Sequence, residues 1–338
     1  MILPGSDPAA LSLALERLRA GELVALPTET VYGLAADALN DAAVARIFAA
    51  KGRPPNHPLI VHLAGSAQVA DYAAEVPAFA QRLIEAFWPG PLTLILPRRP
   101  DVAAAAAGGQ DSIGLRCPSH PVAQALLRAL GTGLAAPSAN RFGRVSPTTA
   151  VHVEAEFGGG LLVLDGGPCE VGIESTIIDC SRGVPVLLRP GRITPEQIEA
   201  ACGQALVPAA ALAQTAPRAS GTLASHYAPQ ARLELLTAGE ITQRLGQRAR
   251  EPGKGAGEGP HMNPHTVPRI GLWSRLAPGA GTGLIWRAMP LEADRAAHEL
   301  FAVLRELDAQ GVDRIWVEAP PAGADWDGVR DRLMRAAA

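Results

Sequence analysis

The chain has 338 residues and a nearly balanced charge, with 30 Lys and Arg against 33 Asp and Glu and a formal net charge of −3. An apolar share of 48% is enough to form a sizeable core, which excludes a disordered or fibrous protein. The 35 Gly and 30 Pro residues follow no triplet period, so they indicate many turns and not collagen. The charge balance provides no global field that would attract nucleic acid.

Cysteine usage and the absence of long apolar runs favour a cytoplasmic protein. The four cysteines include no Cys-x-x-Cys pair, so buried thiols in a reducing compartment are favoured over a zinc site or a disulfide framework. The first residues lack a basic segment followed by an apolar stretch, and we therefore expect no signal peptide. No apolar run approaches the ~18 residues of a membrane span, so we expect no membrane association.

Residues 1–204 alternate between predicted helices and strands, which is the pattern of an α/β domain. Helices are predicted over 8–20, 41–51, 66–73, 77–87, 119–130 and 194–202. Strands are predicted over 23–26, 59–63, 92–96, 112–116, 133–136, 161–164, 175–180 and 184–188. The last helix begins at a capping box formed by Thr194 and Gln197.

Residues 205–230 are rich in Ala, Pro, Ser and Gly, and we interpret them as a linker. In residues 231–338 the alternation resumes, which predicts a second, smaller α/β domain. Its predicted strands are 232–236, 269–273, 283–287 and 314–318, and its predicted helices are 239–249, 291–310 and one at the end of the chain. Within it, the glycine-rich segment 251–268 is predicted to be a flexible insertion. Lys254 lies in that segment, but the order of residues is not that of a phosphate-binding Walker loop.

The loop 51–58 is the strongest candidate for an anion site. Lys51 and Lys254 are the only lysines, and the other 28 basic residues are Arg. Lys51 and Arg53 follow a predicted helix in a loop that three prolines stiffen. Such cations can stabilise the negative end of a helix. They can also bind phosphate, Arg in a bidentate manner and Lys as a point charge, and we favour this second function.

Further polar groups follow other predicted strands. Thr28, Glu29 and Thr30 end the first strand, where open α/β sheets bind ligands. Segments 135–140 and 172–178 combine small residues with hydroxyl and amide side chains, which lets a ligand approach the backbone. Together with Arg53 and the strand-terminal arginines 116 and 189, they predict a nucleoside triphosphate pocket without a Walker loop.

Two residues in these segments also have ordinary interpretations. His62 lies within an apolar strand, and from the residues alone it is expected to be a hydrogen-bonded core histidine. Ser138 does not lie in a Gly-x-Ser-x-Gly elbow, so we do not expect a hydrolase nucleophile there.

The order and spacing of these segments over residues 10–200 resemble the YrdC-type threonylcarbamoyl-AMP synthases. The resemblance rests on segments 27–34, 51–62, 88–93, 112–116, 136–140, 172–178 and 188–191. Segment 220–229 resembles the linker of the two-domain members, and residues 231–338 fit their extra domain in position and size. The resemblance implies a twisted, open mixed sheet with helices, followed by a smaller Rossmann-like α/β domain.

The resemblance also implies a reaction, in which L-threonine, bicarbonate and ATP give L-threonylcarbamoyladenylate and diphosphate, with Mg²⁺ on the phosphates. The product feeds the N6-threonylcarbamoyl modification of adenosine in tRNA. This implies tRNA threonylcarbamoyl-transferase proteins as downstream partners and leaves a weak tRNA contact open.

Site residues are carried over one by one from this resemblance. Lys51 and Arg53 are the implied catalytic residues. The implied contacts to threonine or its carbamate are Thr30, His62, Arg116, Ala136 and Ser175. The implied contacts to ATP are Lys51, Arg53, His57, Ser112, Ser138, Asn140, Ser146 and Arg189.

The chain departs from the family pattern in two places. The family commonly has Asn before the last Pro of the Lys-x-Arg-Pro loop, whereas this chain has His57 there and Asn56 one place earlier. The sequence leaves open which of the two faces ATP. The linker has Leu-Ala-Ser at 223–225 in place of a Lys- and Tyr-rich form. That the linker closes over the site, with His226 and Tyr227 near the nucleotide, is therefore a hypothesis.

Two alternative functions stay open at this point. One is a module of the same fold that binds double-stranded RNA or tRNA and has no synthase activity. Residues 1–205 hold 15 basic and 19 acidic residues, which disfavours a broad RNA-binding surface. The other is a carbamoyl-transferring enzyme like the hydrogenase maturation factors that share the domain. Those carry acylphosphatase and zinc-finger segments, and this chain has no matching cysteine pairs.

Overall fold

The computed structural model describes residues 1–212, 216–250, 268–279 and 284–338. Nearly all of the predicted insertion, 251–267 with Lys254, lies outside the described residues. Among the described helices, none combines the length and the apolar character needed to cross a bilayer.

Residues 1–212 form one mixed sheet of ten strands with helices. The strands are β1 (Ile2–Pro4), β2 (Val24–Leu26), β3 (Gly33–Asp37), β4 (Ile60–His62), β5 (Leu92–Pro97), β6 (Ser112–Arg116), β7 (Leu134–Ala135), β8 (Leu162–Asp165), β9 (Thr176–Asp179) and β10 (Val186–Arg189). The helices are α1 (Pro8–Arg19), α2 (Asp41–Lys51), α3 (Val69–Tyr72), α4 (Ala78–Phe87), α5 (Pro121–Leu130), α6 (Ala150–Phe157) and α7 (Pro195–Cys202). The strand order is β1-β8-β2-β3-β7-β4-β6-β5-β9-β10.

The described part of the C-terminal region forms a second, fully parallel sheet in the order β11-β14-β12-β13. Its strands are β11 (Arg232–Leu236), β12 (Ile270–Ser274), β13 (Ile285–Ala288) and β14 (Arg314–Glu318). Its helices are α8 (Ala238–Arg250), α9 (Ala293–Ala309) and α10 (Asp327–Ala337). Along the chain, the strands of the first sheet precede residues 203–231 and those of the second sheet follow them. The domain limits of 1–204, 205–230 and 231–338 stay a prediction.

Helix α2 shows how the sequence positions a functional side chain. The Asn40 side chain caps the helix by accepting a hydrogen bond from the Ala43 N–H (3.1 Å), and Gly52 ends it with a φ of 65°. Val44 and Ile47 pack into the main core beneath the sheet. Lys51, the last residue, shares this buried side of the helix, so its side chain lies inside the protein.

Some elements within residues 1–212 escaped the sequence analysis. Strand β3 has the sequence Gly-Leu-Ala-Ala-Asp, which lacks the β-branched and aromatic residues typical of strands. It forms because β2 and β7 pair with it on both sides. The three-residue strand β1 and the short helix α6 were also not predicted. The helix predicted over 66–73 is a 3₁₀ turn followed by the four-residue α3.

The C-terminal helices pack directly on two loops of the first sheet, residues 170–175 and 190–192. The Nδ1 atom of His298 on α9 lies 3.0 Å from the carbonyl oxygen of Glu170. Ile173 is buried in the apolar cluster that holds the core of the C-terminal domain. Gly172 approaches α9 so closely that an added Cβ would lie 2.4 Å from the Cα of His298. The C-terminal domain therefore supports both loops from behind.

Replacing Gly172 by Ala tests this contact. The new methyl group overlaps the backbone of α9, and the φ of 81° is itself unfavourable for an L-residue. We expect the free energy of unfolding, measured by chemical denaturation, to fall by more than the ~1–2 kcal/mol of backbone strain alone. Gly183→Ala is the matched control, because its φ is 79° but no atom lies within 4 Å of the added Cβ. Equal losses in the two variants would contradict the packing argument.

Candidate active site

A cavity lies where several strands of the first sheet end. His62 ends β4 and pairs directly with Arg116, which ends the parallel neighbour β6. Because the carboxyl ends of parallel strands lie at the same edge of a sheet, these two side chains share one wall. The cavity lining includes Thr28, Thr30, Arg53, His62, Arg116, Ala136, Ser138, Glu174, Ser175, Arg189, Ser220, Gly221, His226 and Tyr227.

Three buried cations meet at this cavity: Lys51, Arg53 and Arg189 are 3%, 7% and 2% exposed. Lys51 Nζ donates to the carbonyl oxygens of Ser138 and Asn140, each at 2.5 Å. Arg53 and Arg189 likewise donate to carbonyl and hydroxyl oxygens. Within the described residues, no carboxylate lies within ion-pair distance of any of the three.

Burial is the main cause of the perturbed acidity of these groups. It lowers the pKa of Lys51 well below its ordinary value, and neighbouring Arg53 lowers it further. Burial also lowers the pKa of Arg53 to about 10 and depresses the pKa of Arg189. Holding positive charge here costs free energy that a bound polyanion would offset. The cavity therefore suits phosphate groups.

Arg116 differs from these cations because a carboxylate balances its charge. Its Nη2 lies 2.7 Å from Oε1 of Glu29, and both side chains are buried. Oε2 of Glu29 accepts a hydrogen bond from the Ser119 N–H at 3.1 Å. The sequence pattern singled out both residues but did not predict that they pair.

His62 is buried and neutral. Burial and the neighbouring Arg116 lower its pKa to about 3, and its Nδ1 has no hydrogen-bond partner among the described residues. The expectation from its strand alone is a hydrogen-bonded core histidine, and the side chain is indeed buried with backbone hydrogen bonds to Ile60 and Leu134. His62 also lines the cavity, where a neutral imidazole suits contact with a polar ligand.

Hydroxyl groups complete the wall next to His62. The Thr28 and Thr30 Oγ1 atoms lie 2.9 Å apart, and Ser175 Oγ lies 2.7 Å from Thr93 Oγ1. Ser175 also accepts a hydrogen bond from Arg189 Nη2 at 3.1 Å. All five residues predicted to contact threonine or its carbamate line the same cavity: Thr30, His62, Arg116, Ala136 and Ser175.

The residues predicted to contact ATP are more spread out. Arg53, Ser138 and Arg189 line the cavity, and Lys51 reaches it through its bond to Ser138. Ser112 lines a neighbouring space, which shares Ile60 and Ser220 with the first cavity.

Three further predicted ATP contacts lie outside the lining of the first cavity. Asn140 holds the following loop, since its Nδ2 donates to the carbonyl oxygens of Arg141 and Arg144, each at 2.8 Å. Ser146 lies behind the wall and donates to Glu174 Oε1 at 2.5 Å. His57 is half-buried, with its ring 5.5 Å from that of Phe142.

His57 and Asn56 have different surroundings. Phe142, which packs edge-on against His57, also lies under the guanidinium of Arg53 at 5.7 Å. Burial and Arg53 lower the pKa of His57. Asn56 is exposed. His57 is thus the one nearer to the cation cluster.

Sequence reasoning missed the most deeply placed arginine of the site. Arg332 on α10 is fully buried, and its Nε lies 2.7 Å from Oε2 of Glu174, which lines the cavity. No local pattern marks this residue, because the final helix carries several arginines. His226 and Tyr227 line the cavity, so the structure is compatible with the hypothesis that the linker covers the site.

Comparisons with known proteins find matches to both parts of the chain. Residues 16–191 match the family model described as "Telomere recombination", and residues 193–338 match the one described as "Threonylcarbamoyl-AMP synthase, C-terminal domain". The threonylcarbamoyl-AMP synthase of Bacillus subtilis is 40% identical over 340 residues, which cover 99% of this chain and 94% of that protein. The chain belongs to the threonylcarbamoyl-AMP synthase family. The synthase of Pyrococcus abyssi is 37% identical over 96% of this chain and 93% of its own length.

A solved structure shows that the similarity in sequence is accompanied by similarity in fold. Sua5 of P. abyssi, crystallised in complex with L-threonine, is 36% identical and superposes with a TM-score of 0.84. The match covers 97% of this chain and 94% of that chain. The resemblance inferred from the motifs and the predicted two-sheet α/β class are confirmed.

The buried neutral state of His62 makes stability depend on pH. Between the unfolded pKa of about 6.5 and the folded pKa of about 3, the unfolded chain binds a proton that the folded chain does not. The free energy of unfolding therefore falls as the pH is lowered below 6.5, by roughly 1.4 kcal/mol per pH unit for this residue.

We expect His62→Asn to lose less stability than the unsubstituted protein when the pH is lowered from 7 to 5. Chemical denaturation at both pH values measures the difference. Some loss persists in the variant, because His226 is also buried with a pKa of about 3. An unchanged loss would mean that the pKa of His62 does not differ between the folded and unfolded states.

Proposed function

We propose that this protein condenses L-threonine, bicarbonate and ATP to L-threonylcarbamoyladenylate and diphosphate. The observation that carries the proposal is a cavity whose wall combines buried cations lacking carboxylate partners with hydroxyls and a neutral imidazole. Membership of the synthase family and the relative solved with L-threonine support it. The RNA-binding alternative is not favoured, because Lys51, Arg53 and Arg189 are buried and do not form an exposed basic surface.

The chemistry agrees with these residue types. The amine of threonine and bicarbonate give a carbamate and water, and a carbamate oxygen then attacks the α-phosphorus of ATP. A new P–O bond forms, the bond from the α-phosphorus to the bridging oxygen breaks, and diphosphate leaves. Two anions must approach each other, and buried guanidinium and ammonium groups offset their repulsion and stabilise the leaving group. The reaction needs no protein nucleophile.

Mg²⁺ fits this site as a companion of the ATP phosphates. Within the described residues, no group of three or more His, Cys, Asp or Glu is arranged to hold a metal ion. Mg²⁺ commonly binds through substrate phosphates and few protein ligands, and there it supplies positive charge to the phosphates. Lys51, Arg53 and Arg189 would hold the phosphates that carry the ion.

We assign the two substrates to different parts of the cavity. Thr30, His62, Arg116, Ala136 and Ser175 would contact threonine or its carbamate. The ATP side would comprise Lys51, Arg53, His57, Ser112, Ser138, Asn140, Ser146 and Arg189. For ATP to reach Ser112, it would extend past Ser220 into the neighbouring space.

The surrounding biology follows from the product. Threonylcarbamoyladenylate is a reactive mixed anhydride, so its use requires a tRNA threonylcarbamoyl-transferase system in the same compartment, the cytoplasm. We include a weak direct contact with tRNA in the proposal.

The linker is well placed to act as a lid. The Ser220 carbonyl oxygen accepts a hydrogen bond from Arg189 Nη1 at 2.8 Å, and Ser220 Oγ accepts one from Arg53 Nη2 at 3.1 Å. A phosphate that binds these N–H groups replaces Ser220, which requires the linker to move. Return of the linker over the substrates would exclude water, in which N-carboxythreonine loses CO₂ readily.

Lys51→Ala and Arg53→Ala test the phosphate assignment. We expect each to lower threonine-dependent diphosphate release from ATP by roughly 100-fold or more, because each removes a charge aimed at the phosphates. Arg46→Ala is the matched control, since Arg46 is an exposed cation on the outer side of the same helix. Thermal melting verifies that the variants fold. Turnover at the unsubstituted rate in both variants would refute the assignment.

A direct product assay tests the function itself. The protein is incubated with ATP, bicarbonate and labelled threonine, and the mixture is separated by chromatography. The expected result is a labelled mixed anhydride of threonine carbamate and AMP. Steeply salt-dependent RNA binding without this product would instead favour the RNA-binding alternative.

Gly221→Ala tests the lid. An added Cβ would overlap Tyr227 Oη and Arg189 Nη1, and the φ of 71° is unfavourable for an L-residue, so the linker or these two side chains must shift. We expect a folded protein with a lower kcat/KM and faster proteolytic cleavage within the linker. Leu223→Ala is the control, because that side chain is exposed. A kcat/KM equal to that of the control would show that linker closure does not contribute to catalysis.

A further inference from the structure

Arg332 connects the C-terminal domain to both loops that carry cavity residues. Its Nη2 donates to the Glu174 carbonyl oxygen at 3.0 Å, and its Nη1 donates to the Pro190 carbonyl oxygen at 2.9 Å. Glu174 immediately precedes Ser175, and Pro190 immediately follows Arg189. One rigid guanidinium thus fixes the backbone next to two residues of the cavity wall.

The same guanidinium balances a buried carboxylate. Arg332 Nε donates to Glu174 Oε2 at 2.7 Å, while Ser146 Oγ donates to Oε1 at 2.5 Å. Burial would raise the pKa of Glu174, but Arg332, Arg189 and the bond from Ser146 outweigh burial, so the pKa lies below its ordinary value. Glu174 is thereby held in one orientation, as a charged group on the cavity wall.

Arg332 and its helix also position the linker. The Arg332 guanidinium lies 5.5 Å from the centre of the Tyr227 ring, a cation–π contact in a buried setting. Tyr227 adopts a φ of 63°, which is uncommon for a residue other than glycine and needs support from its surroundings. The carbonyl oxygen of Arg335, also on α10, accepts a hydrogen bond from the His226 N–H at 3.0 Å.

We propose that Arg332 is a positioning residue of the synthase site, through which the C-terminal domain holds the loops of Ser175 and Arg189 and the linker residue Tyr227 in their working arrangement. This inference rests on the proposed function. Arg332 acts through these neighbours and is not itself part of the cavity lining. A buried ion pair is often no more stabilising than well-packed apolar residues of similar volume. We therefore infer that the Arg332–Glu174 ion pair contributes by orienting the neighbouring loops and not by adding stability.

Several charged or titratable groups around Glu174 influence its pKa. Those that interact with it come from four elements of the fold: Lys51 from α2, Arg189 from β10, His226 and Tyr227 from the linker, and Arg332 from α10. Asp331 lies beyond Arg332 and accepts a hydrogen bond from it at 2.7 Å. Removing Arg332 takes away its charge and its hydrogen bond, both of which lower the pKa of Glu174, so Glu174 then binds a proton more readily.

The main variant is Arg332→Gln, which removes the positive charge and most of the guanidinium N–H donors while keeping a polar side chain. Threonine-dependent kcat/KM is measured from pH 6 to 8.5, and thermal melting reports folding. We expect kcat/KM to fall on the order of 100-fold at pH 6, the size of loss that follows when site residues are displaced. At higher pH we expect partial recovery, because Glu174 loses its proton. Arg332→Lys keeps the positive charge but not the planar set of guanidinium N–H donors. We therefore expect a smaller loss of kcat/KM, without the added pH dependence.

Two further variants separate positioning from a general loss of structure. Arg330→Gln removes a charge from the same helix, where Arg330 bonds Asp327 and nearby carbonyl groups, and we expect unchanged kinetics. Adding Glu174→Gln to Arg332→Gln removes the group that titrates, so the added pH dependence should disappear. We still expect this double variant to be less active than Glu174→Gln alone, because the bonds to the two loop carbonyls are missing.

The outcomes are distinguishable. If the unsubstituted protein releases no threonine-dependent diphosphate, the proposed function fails and this inference fails with it. If that protein is active and folded Arg332→Gln matches Arg330→Gln in rate and pH profile, only the positioning role is refuted. If Arg332→Gln does not fold, the double variant is compared with Glu174→Gln, and equal activities refute the proposal. An added pH dependence that survives in the double variant also refutes it, since another group would be its source.

Discussion

Burial of three cations without a carboxylate partner is the constraint on which the site depends. Lys51, Arg53 and Arg189 donate hydrogen bonds to carbonyl and hydroxyl oxygens, which carry no charge to balance theirs. Arg53 Nε has no hydrogen-bond partner among the described residues. Such an arrangement is costly in the folded protein and favourable once a polyanion binds. The large sheet and its well-packed core supply the stability that offsets the free-energy cost of burying these charges. The two arginines of the cavity region that are paired, 116 and 332, have carboxylates from elsewhere in the chain.

Much of the fold could be predicted from the sequence, because local signals and final structure agree there. The cap at Asn40, the apolar positions of α2 and the glycine at 52 all indicate the helix that places Lys51. Strand β3 could not be predicted in this way. Its small residues carry no strand preference of their own, and only pairing with β2 and β7 makes it a strand.

The site shows the same division between local and long-range information. The residues that the family resemblance implies for threonine and its carbamate share one cavity because they stand in motifs at the ends of strands, and the sheet brings strand ends together. Arg332 lies about 150 residues beyond the last of these motifs, and its partners Glu174 and Pro190 are fixed only by the tertiary fold. Likewise, Ser112 sits in a strand with the predicted bounds but lines the adjoining space.

Ser220 has a thermodynamic consequence for measurements of ATP affinity. Its oxygens accept hydrogen bonds from N–H groups of Arg53 and Arg189. If ATP phosphates bind the same N–H groups, as proposed above, linker and nucleotide compete for one set of donors. Apparent dissociation constants then equal the intrinsic value divided by the fraction of molecules in which the linker is displaced. A change confined to the linker can therefore alter the measured affinity without altering a single contact to the nucleotide.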